Sequence, residues 1–245
     1  MTALTRGVRR ALLLRSFAVQ GSWNYQTLIG TGFAFVLLPV LRRVHRGDEA
    51  ALRAAVARHA ELFNSHPYLA TVAAGAVARL EEEGAPPETV RRFKTALRGS
   101  LGSIGDRLVW QAWRPACALL AIALLLLGAP WWAAVAAFLL VYNALHLWLR
   151  AWGLRVGLRD GLSVGRALRD APFQRLGERA SDAGAFLAGL AGVLAVGDAS
   201  RGPVEYALGA AALAAGLWLG LRIRWAVWAV LVIVWAVDTI MVATS

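Results

Sequence analysis

Long apolar runs separated by arginine clusters constrain this chain more than any other feature of its sequence. The runs cover residues 116–149, 204–221 and 225–243, and the first is interrupted at Gly128–Pro130. About 20 consecutive apolar residues can cross the hydrocarbon core of a bilayer as a helix. Since 58% of the 245 residues are hydrophobic and 17% are charged, an ordinary soluble domain is excluded. The sequence predicts an all-α integral membrane protein with several transmembrane helices. The run 116–149 fits either one short and one long element or a helical hairpin.

The formal charge of +11 rests on arginines that lie between the apolar runs. Nucleic-acid binding and basic cytoplasmic loops of a membrane protein both produce such a charge. The second is favoured because the arginines flank apolar runs, as the positive-inside rule requires, and no nucleic-acid motif is present. We therefore expect a multi-pass protein without a nucleic-acid partner, with the N-terminus and the arginine-rich loops, above all residues 150–179, in the cytoplasm. Cys117 is the only cysteine, so no intrachain disulfide is possible, and a buried thiol is expected.

Residues 1–19 combine four arginines with an apolar stripe. The arginines are Arg6, Arg9, Arg10 and Arg15, and the apolar residues include Leu12–Leu14 and Phe17. This pattern is typical of a basic amphipathic helix that lies on an anionic membrane surface. The alternative is an ordinary solvated helix packed on the rest of the protein.

Two glycine-rich stretches predict broken elements at membrane depth. Residues 20–41 are interrupted by Gly30 and Gly32 and are too short for a normal span, which suggests a re-entrant segment. Gly99–Arg114 has three glycines in seven residues, which predicts a tight bend, and Asp106 is placed to cap a following helix. Short, Gly-broken re-entrant hairpins mark the binding region of many carriers, so a carrier or carrier subunit is the leading interpretation.

The remaining segments predict surface helices and C-terminal spans. Residues 48–62 form a surface helix with Asp48 as N-cap, and Pro67 begins a helix over 68–83. Residues 88–98 predict a short amphipathic helix that leads into the Gly-rich bend. The chain is treated as a single domain, 1–245, that ends in transmembrane helices over 183–245.

No catalytic or metal-binding arrangement is visible. The four histidines, His45, His59, His66 and His146, lack metal-ligand spacing, and no nucleophile elbow or phosphate loop occurs, so we expect no metal, cofactor or catalytic residue. His45 and His59 are expected to be solvated helix residues. A membrane-embedded enzyme is disfavoured on the same grounds.

Polar groups within apolar surroundings are more informative, because such groups are costly in a bilayer. They are Asn64, Asp106, Arg114, Asn143 and His146. Most have a structural alternative: Asp106 as a cap, Arg114 as its partner or a helix anchor, and Asn143 with His146, which share one helix face, as hydrogen-bonding partners of a neighbouring helix.

Four blocks of the sequence together resemble the IID subunit of the mannose/fructose/sorbose-type phosphotransferase system (PTS). The resemblance covers most of residues 12–165, and the core domain is therefore set at 20–165. The blocks are Ser22-Trp23-Asn24-Tyr25 with Gly32-Phe33-Ala34 and Leu38-Pro39, Phe63 to Leu69 (FNSHPYL), Gly102-Ser103-Ile104-Gly105-Asp106 with Trp110 and Arg114, and Asn143 to Gly161 (NALHLWLRAWGLRVGLRDG).

The resemblance implies a non-catalytic subunit of a sugar permease in the bacterial inner membrane. Such subunits pair with IIC, as trimers of IIC–IID pairs, while cytoplasmic IIA and IIB domains relay phosphate to a hexose-class sugar. No histidine of this chain is then expected to be phosphorylated. Nine residues are assigned to the substrate path or the IIC interface: Asn24, Asn64, Gly102, Gly105, Asp106, Trp110, Arg114, Asn143 and His146. The alternative is a non-transporting membrane scaffold or regulator with the same fold.

Overall fold

The computed structural model describes residues 4–197 and residue 211, and their secondary structure is helical apart from two isolated β-bridges. A π-helical segment, Asp106–Trp113, joins α5 to α6, and a 3-10 turn, Gly161–Ser163, joins α7 to α8. The α-helices are α1 (Arg6–Ser16), α2 (Gly30–Val44), α3 (Glu49–Ala60), α4 (Ala70–Glu82), α5 (Pro87–Gly105), α6 (Arg114–Leu126), α7 (Trp131–Asp160), α8 (Val164–Asp170) and α9 (Phe173–Gly197).

The chain divides into two compact units. The first comprises residues 1–108 and 143–174, and the second comprises residues 109–142 and 175–245. Helix α4 is the centre of the first unit, because residues 70–78 are all buried and α1, α2 and α5 pack against it. Its sequence, ATVAAGAVA, consists of small and β-branched residues, which let neighbouring helices approach closely.

Helix α4 and the second half of α7 meet backbone to backbone. A Cβ atom at Gly75 would lie 2.6 Å from the carbonyl oxygen of Leu154, and one at Gly157 would lie 2.3 Å from that of Val72. Both separations are shorter than van der Waals contact, so only glycine fits at either position. These contacts fix the position of the second half of α7, and of its polar residues, along the axis of α4.

The predicted tight bend at Gly99–Asp106 is wrong. Helix α5 runs through all three glycines, and Asp106 has helical dihedral angles (φ −64°, ψ −43°) with its N–H bonded to the Gly102 carbonyl. Since that N–H already has a helical acceptor, Asp106 does not act as an N-cap. The three-residue spacing of the glycines lets them share one side of a continuous helix, and the irregularity takes the form of the π-helical segment. The predicted short helix over 88–98 is likewise the start of this longer one.

The predicted interruption at Gly30 and Gly32 is also wrong. Helix α2 begins at Gly30 and continues through Pro39 to Val44. A Cβ atom at Gly32 would lie 1.9 Å from the carbonyl oxygen of Val19, so this glycine permits close packing rather than a break. Re-entrant hairpins elsewhere in the chain stay a prediction.

The second unit contains a helical hairpin, which confirms the predicted break at Gly128–Pro130. Gly128 has a φ of +86°, in the left-handed region that favours glycine, between the end of α6 and the start of α7. The indole Nε1 of Trp113 donates a hydrogen bond to the carbonyl oxygen of Val141 (3.2 Å), so the two arms run side by side. Helix α9 contacts the hairpin where a Cβ atom at Gly184 would lie 3.6 Å from that of Ala116.

Apolar side chains cover the outside of this hairpin. Those more than about a third exposed include Ile122, Leu125, Leu126, Leu127, Trp131, Trp132, Val135, Leu139 and Leu140. An apolar patch of this extent does not face water in a soluble protein. The continuous helical runs Pro87–Leu126 and Trp131–Ala195 are long and apolar enough to cross a membrane. The prediction of an all-α integral membrane protein is confirmed.

Smaller predictions have mixed outcomes. The N-cap at Asp48 is confirmed, because its carboxylate accepts from the Ala51 N–H (2.8 Å), and Cys117 is buried as expected. Pro67 lies in a turn rather than at a helix start, since α4 begins at Ala70. Apart from residue 211, the predicted spans over 204–221 and 225–243 lie outside the described residues.

Candidate functional site

Two loops of the first unit are held together by backbone hydrogen bonds. The Phe63 N–H donates to the Thr27 carbonyl oxygen (3.2 Å), and the Ile29 N–H donates to the Phe63 carbonyl oxygen (3.1 Å). Asn24 shapes the first loop, because its Oδ1 accepts from the Thr27 N–H (2.9 Å) and its Nδ2 donates to the Thr27 hydroxyl (2.9 Å). These bonds fix the backbone at Phe63, three residues before His66.

His66 packs directly against the end of α5. It is 2% exposed, and a Cβ atom at Gly105 would lie 2.2 Å from the His66 Cβ, so the imidazole occupies the space that any side chain at 105 would need. The His66 Nδ1 accepts a hydrogen bond from the Tyr68 N–H (3.3 Å), which orients the ring. Gly105 thus sets how closely α5 approaches the His66 loop.

Arg150 of α7 joins α1 to this loop. It is 4% exposed, and its Nη1 donates to the Ser16 hydroxyl (3.0 Å) and to the Ser16 carbonyl oxygen. Its guanidinium carbon lies 4.7 Å from the ring centre of Phe17 and 5.2 Å from that of Tyr68. Within the described part of the chain, no carboxylate lies within ion-pair distance of Arg150. The cation is stabilised by carbonyl, hydroxyl and aromatic groups instead.

His146 completes the group, one helical turn before Arg150. Its Nε2 lies 2.8 Å from the Arg150 Nε, which can only donate, so Nε2 carries the lone pair. The ring proton is then on Nδ1, which donates to the Asn143 Oδ1 (3.2 Å). The imidazole also stacks on the Tyr68 ring, with centroids 4.0 Å apart. The geometry thus holds His146 neutral, in one tautomer and one orientation.

A second polar group surrounds the Glu81 carboxylate at the other end of α4. The Glu81 Oε1 accepts from Arg58 Nη2 (2.7 Å) and lies 2.8 Å from His59 Nε2. Lys94 of α5 donates to the carbonyl oxygens of Arg58 (2.9 Å) and His59 (3.3 Å) at the end of α3. The prediction that His59 is solvated is wrong, since it is fully buried. The prediction for His45 is also wrong, because its half-buried ring approaches Glu81 to 3.8 Å.

The pKa values of this second group follow from burial and from these hydrogen bonds. Burial lowers the pKa of His59 and outweighs the opposing hydrogen bond to Glu81. Burial raises the pKa of the Glu81 carboxyl, but the hydrogen bonds from His59 and Arg58 prevail and bring it to about 2. His59 is therefore a neutral donor to a charged carboxylate. Its Nδ1 is buried without a hydrogen-bond acceptor in the described structure, which fits a ring with no proton there.

The described residues contain no cluster of histidine, cysteine, aspartate and glutamate that could hold a metal ion. Neither polar group places a nucleophile beside a general base. The chemistry that these side chains can perform is hydrogen bonding and the stabilisation of helix positions.

Comparison with known proteins gives the family. Residues 3–196 match the family described as "PTS system mannose/fructose/sorbose family IID component". The chain belongs to this family. It is 30% identical over 191 residues to the mannose-specific EIID component of Escherichia coli K12, covering 76% of this chain and 67% of that protein. It is also 30% identical over 191 residues to the fructose permease IID component of Bacillus subtilis, covering 76% and 68% of the two chains.

A solved structure extends the similarity along the whole chain. The cryo-EM structure of the mannose transporter ManYZ in complex with microcin E492 contains a chain that matches this one with a TM-score of 0.62. The two chains are 25% identical, and the match covers 99% of this IID component and 97% of the other chain. The resemblance noted in the sequence is confirmed.

Three of the nine residues that the sequence assigned to the IID site belong to the His66–Arg150 group. Gly105 contacts His66, while Asn143 and His146, whose spacing predicted a shared helix face, are hydrogen-bonded to each other. Asn24 lies in the supporting loop, and Asn64 is exposed directly after Phe63.

The other four residues have different surroundings. Asp106 is exposed at the start of the π-helical segment, and a Cβ atom at Gly102 would meet nothing within 4 Å. Trp110 and Arg114 belong to the second unit, where the exposed Arg114 guanidinium lies 5.0 Å from the Trp110 ring centre. This contact takes the place of the suggested pairing with Asp106.

Sequence reasoning missed Arg150, His66 and Tyr68 as members of this group. Arg150 follows Asn143 by seven residues and His146 by four, so all three share one helix face, and that spacing was the available signal. His66 and Tyr68 stand in a loop without periodicity, and only the family resemblance pointed to that block.

Proposed function

We propose that this chain is the IID subunit of a mannose-type PTS permease, which pairs with a IIC subunit to translocate a hexose-class sugar that IIB phosphorylates. The family membership and the similarity to a chain of the mannose transporter ManYZ support this proposal. The apolar hairpin and the two long apolar helical runs suit a membrane subunit.

The observation that carries the proposal beyond family membership is the hydrogen-bonded Arg150–His146–Asn143 series on α7, in which Arg150 is buried and the other two side chains are half-buried. A cationic and two neutral polar side chains in an apolar helix are costly, and in membrane proteins such groups mark substrate paths or buried interfaces. Here they lie beside Tyr68 and the His66–Gly105 contact. We assign each of the nine residues, and Arg150, His66 and Tyr68 in addition, to the neighbourhood of the sugar path or to the IIC interface.

The proposed role of this chain is steric and electrostatic rather than covalent. His146 is held neutral by a donor on one nitrogen and an acceptor on the other, so it can position Asn143 but does not take up a phosphoryl group. The phosphoryl relay lies on IIA and IIB, and the chain requires no cofactor. The protein resides in the bacterial cytoplasmic membrane with its N-terminus and arginine-rich loops on the cytoplasmic side, in a trimer of IIC–IID pairs.

The test is co-purification with a IIC subunit of the same family, followed by IIB-dependent sugar uptake in proteoliposomes. A stable pair that takes up and phosphorylates a hexose is expected. A stable pair without uptake across a panel of hexoses would instead indicate a scaffold or regulator with the IID fold.

Two substitutions test the assigned region in the same assay. Gly105→Leu and Asp106→Ala are each expected to abolish uptake while leaving membrane insertion intact. Gly99→Leu is the matched control for the glycine, because position 99 lies on the same helix outside the assigned residues and a side chain there meets open space. Normal uptake by both the 105 and 106 variants would contradict the assignment.

A further inference from the structure

The first 47 residues contain seven arginines and no aspartate or glutamate, since Asp48 is the first acidic residue. Some of these arginines have partners within the protein. Arg15 donates to the Phe35 carbonyl oxygen (3.1 Å), and Arg43 pairs with Glu82 (3.2 Å). Arg6, Arg9 and Arg10 of α1 are exposed, and no ion pair holds any of them in the described structure.

Helix α1 is attached to the protein by one face only. Leu12 and Ser16 are buried, at 0% and 1% exposure, where α1 packs against α2 and α4. The opposite face carries Arg6, Arg10 and Leu14, which recur every four residues and therefore lie in one row along the helix.

Large apolar side chains continue this surface beyond the arginines. Leu14 is 58% exposed and Phe17 is 48% exposed, although one side of the Phe17 ring is covered by Arg150. The loop that follows presents Trp23 and Tyr25, which are 46% and 88% exposed and meet edge to face with ring centres 4.8 Å apart. At the interface of a bilayer, arginines lie among the headgroups, and leucine, tryptophan and tyrosine lie at the boundary with the acyl chains. This surface carries both kinds of side chain.

We propose that α1 and the loop to Tyr25 form a binding surface for the headgroups of anionic phospholipids. Arg6, Arg9 and Arg10 bind the phosphates, because a guanidinium donates two parallel hydrogen bonds to phosphate oxygens. Leu14, Phe17, Trp23 and Tyr25 lie at the boundary between headgroups and acyl chains. Charge complementarity selects this occupant, since the segment carries cations alone and the leaflet that faces the cytoplasm is anionic. The surface does not depend on sugar transport.

The binding test uses the full chain in detergent with Cys117→Ala and Leu14→Cys, labelled at position 14 with an environment-sensitive fluorophore. Short-chain phosphatidylglycerol is titrated in, and short-chain phosphatidylcholine serves as the uncharged comparison. The triple variant R6Q/R9Q/R10Q is expected to bind phosphatidylglycerol about 100-fold more weakly, from a factor of about 5 for each arginine near an anionic surface.

The matched control is R53Q/R155Q/R166Q, which removes the same charge from three exposed arginines elsewhere that have no ion pair in the described structure. Its affinity for phosphatidylglycerol is expected to stay within about twofold of the parent, since this variant leaves α1 and the loop to Tyr25 unchanged. Equal weakening of both triple variants would show a general charge effect and overturn the proposal. Equal affinity for the two lipids would overturn it as well.

Two further measurements keep the proposal testable if the triple variant folds poorly. With the parent chain, raising the salt concentration must weaken phosphatidylglycerol binding, because the contacts are exposed ion pairs. In nanodiscs that contain phosphatidylglycerol, spin-labelled lipids must quench the label at position 14. A label that no lipid quenches, but that a soluble protein such as IIB protects, would identify the surface as a protein-docking site and reject lipid binding.

Discussion

The Nε of Arg150 donates a hydrogen bond to the Nε2 of His146 across 2.8 Å, one helical turn apart on α7. This contact decides the tautomer of His146 and thereby its bond to Asn143. It also leaves the Arg150 Nη1 directed at Ser16, which links α7 to the end of α1. One side chain thus connects elements that are 134 residues apart in the sequence.

The His146–Arg150 bond can be tested with His146→Phe. The new ring keeps the stacking on Tyr68 but removes the acceptor of the Arg150 Nε–H. A buried donor left without an acceptor costs about 1–3 kcal/mol, so the melting temperature in detergent is expected to fall by several degrees. The control is Leu147→Phe at the neighbouring position, which is 52% exposed and is expected to melt like the parent. Equal melting of both variants would mean that the bond adds nothing to stability.

The contact between Gly105 and His66 predicts a specific rescue. Gly105→Ala places a Cβ atom 2.2 Å from that of His66 and is expected to destabilise the protein by about 1–3 kcal/mol through overpacking. Gly102→Ala, three residues earlier, meets open space and is expected to be neutral or slightly stabilising.

The double variant Gly105→Ala/His66→Gly measures the coupling, because the nearest clashing atom is the His66 Cβ and only glycine removes it. Thermal unfolding of the four proteins in a double-mutant cycle gives the interaction energy between the two sites. Additive effects of the two substitutions would show that residue 105 is constrained by something other than His66.

The Glu81 group predicts that acid destabilises the protein. The folded-state pKa of His59 is below 6.5, so between that pKa and 6.5 the unfolded chain binds more protons, and stability falls as the pH drops below 6.5. The folded-state pKa of Glu81 is about 2 against 4.5, so its contribution is fully present above pH 4.5 and is lost as the pH falls towards 2.

His59→Gln separates the two effects, because a glutamine amide can still donate to Glu81 but does not titrate. This variant is expected to lose the part of the pH dependence just below 6.5 that His59 contributes, while the part from His66, whose pKa is also lowered by burial, and the dependence below pH 4.5 remain. Melting temperatures measured in detergent at a series of pH values test this. A parent protein whose stability is constant from pH 7 to the onset of carboxyl titration would contradict the role assigned to His59.

Lys94, the only lysine in the chain, is expected to stabilise the end of α3. Its ammonium group donates to the carbonyl oxygens of Arg58 and His59, where the helix dipole favours a cation. Lys94→Met is expected to destabilise the protein by about 2 kcal/mol, since a charged donor to two buried carbonyls is lost. Arg92→Met is the control, because that side chain is 80% exposed and its pairing with Glu88 adds little. Chemical denaturation of the two variants in mixed micelles tests this.

Hydropathy and charge in the sequence were sufficient to predict an all-α membrane protein. The free-energy cost of placing a charge in hydrocarbon is a property of each residue and does not depend on which residues it contacts. The break at Gly128–Pro130 was predictable for a similar reason, since turn chemistry is local. The order of four short blocks was enough to identify the family.

The roles of the glycines were decided by tertiary structure. Glycine density alone does not distinguish a bend from a close helix contact, and at Gly32 and Gly105 the deciding factor is a distant group, the Val19 carbonyl in one case and His66 in the other. The same holds for His59, which a helical pattern places at the surface and which Glu81, 22 residues later, holds in the interior. Local energetics act through neighbours in sequence, whereas packing distance and hydrogen-bond partners depend on which helices meet. The sequence by itself therefore determined the membrane environment, the all-helical class and the family, and only the tertiary structure decided where several helices begin and end and which polar side chains are joined.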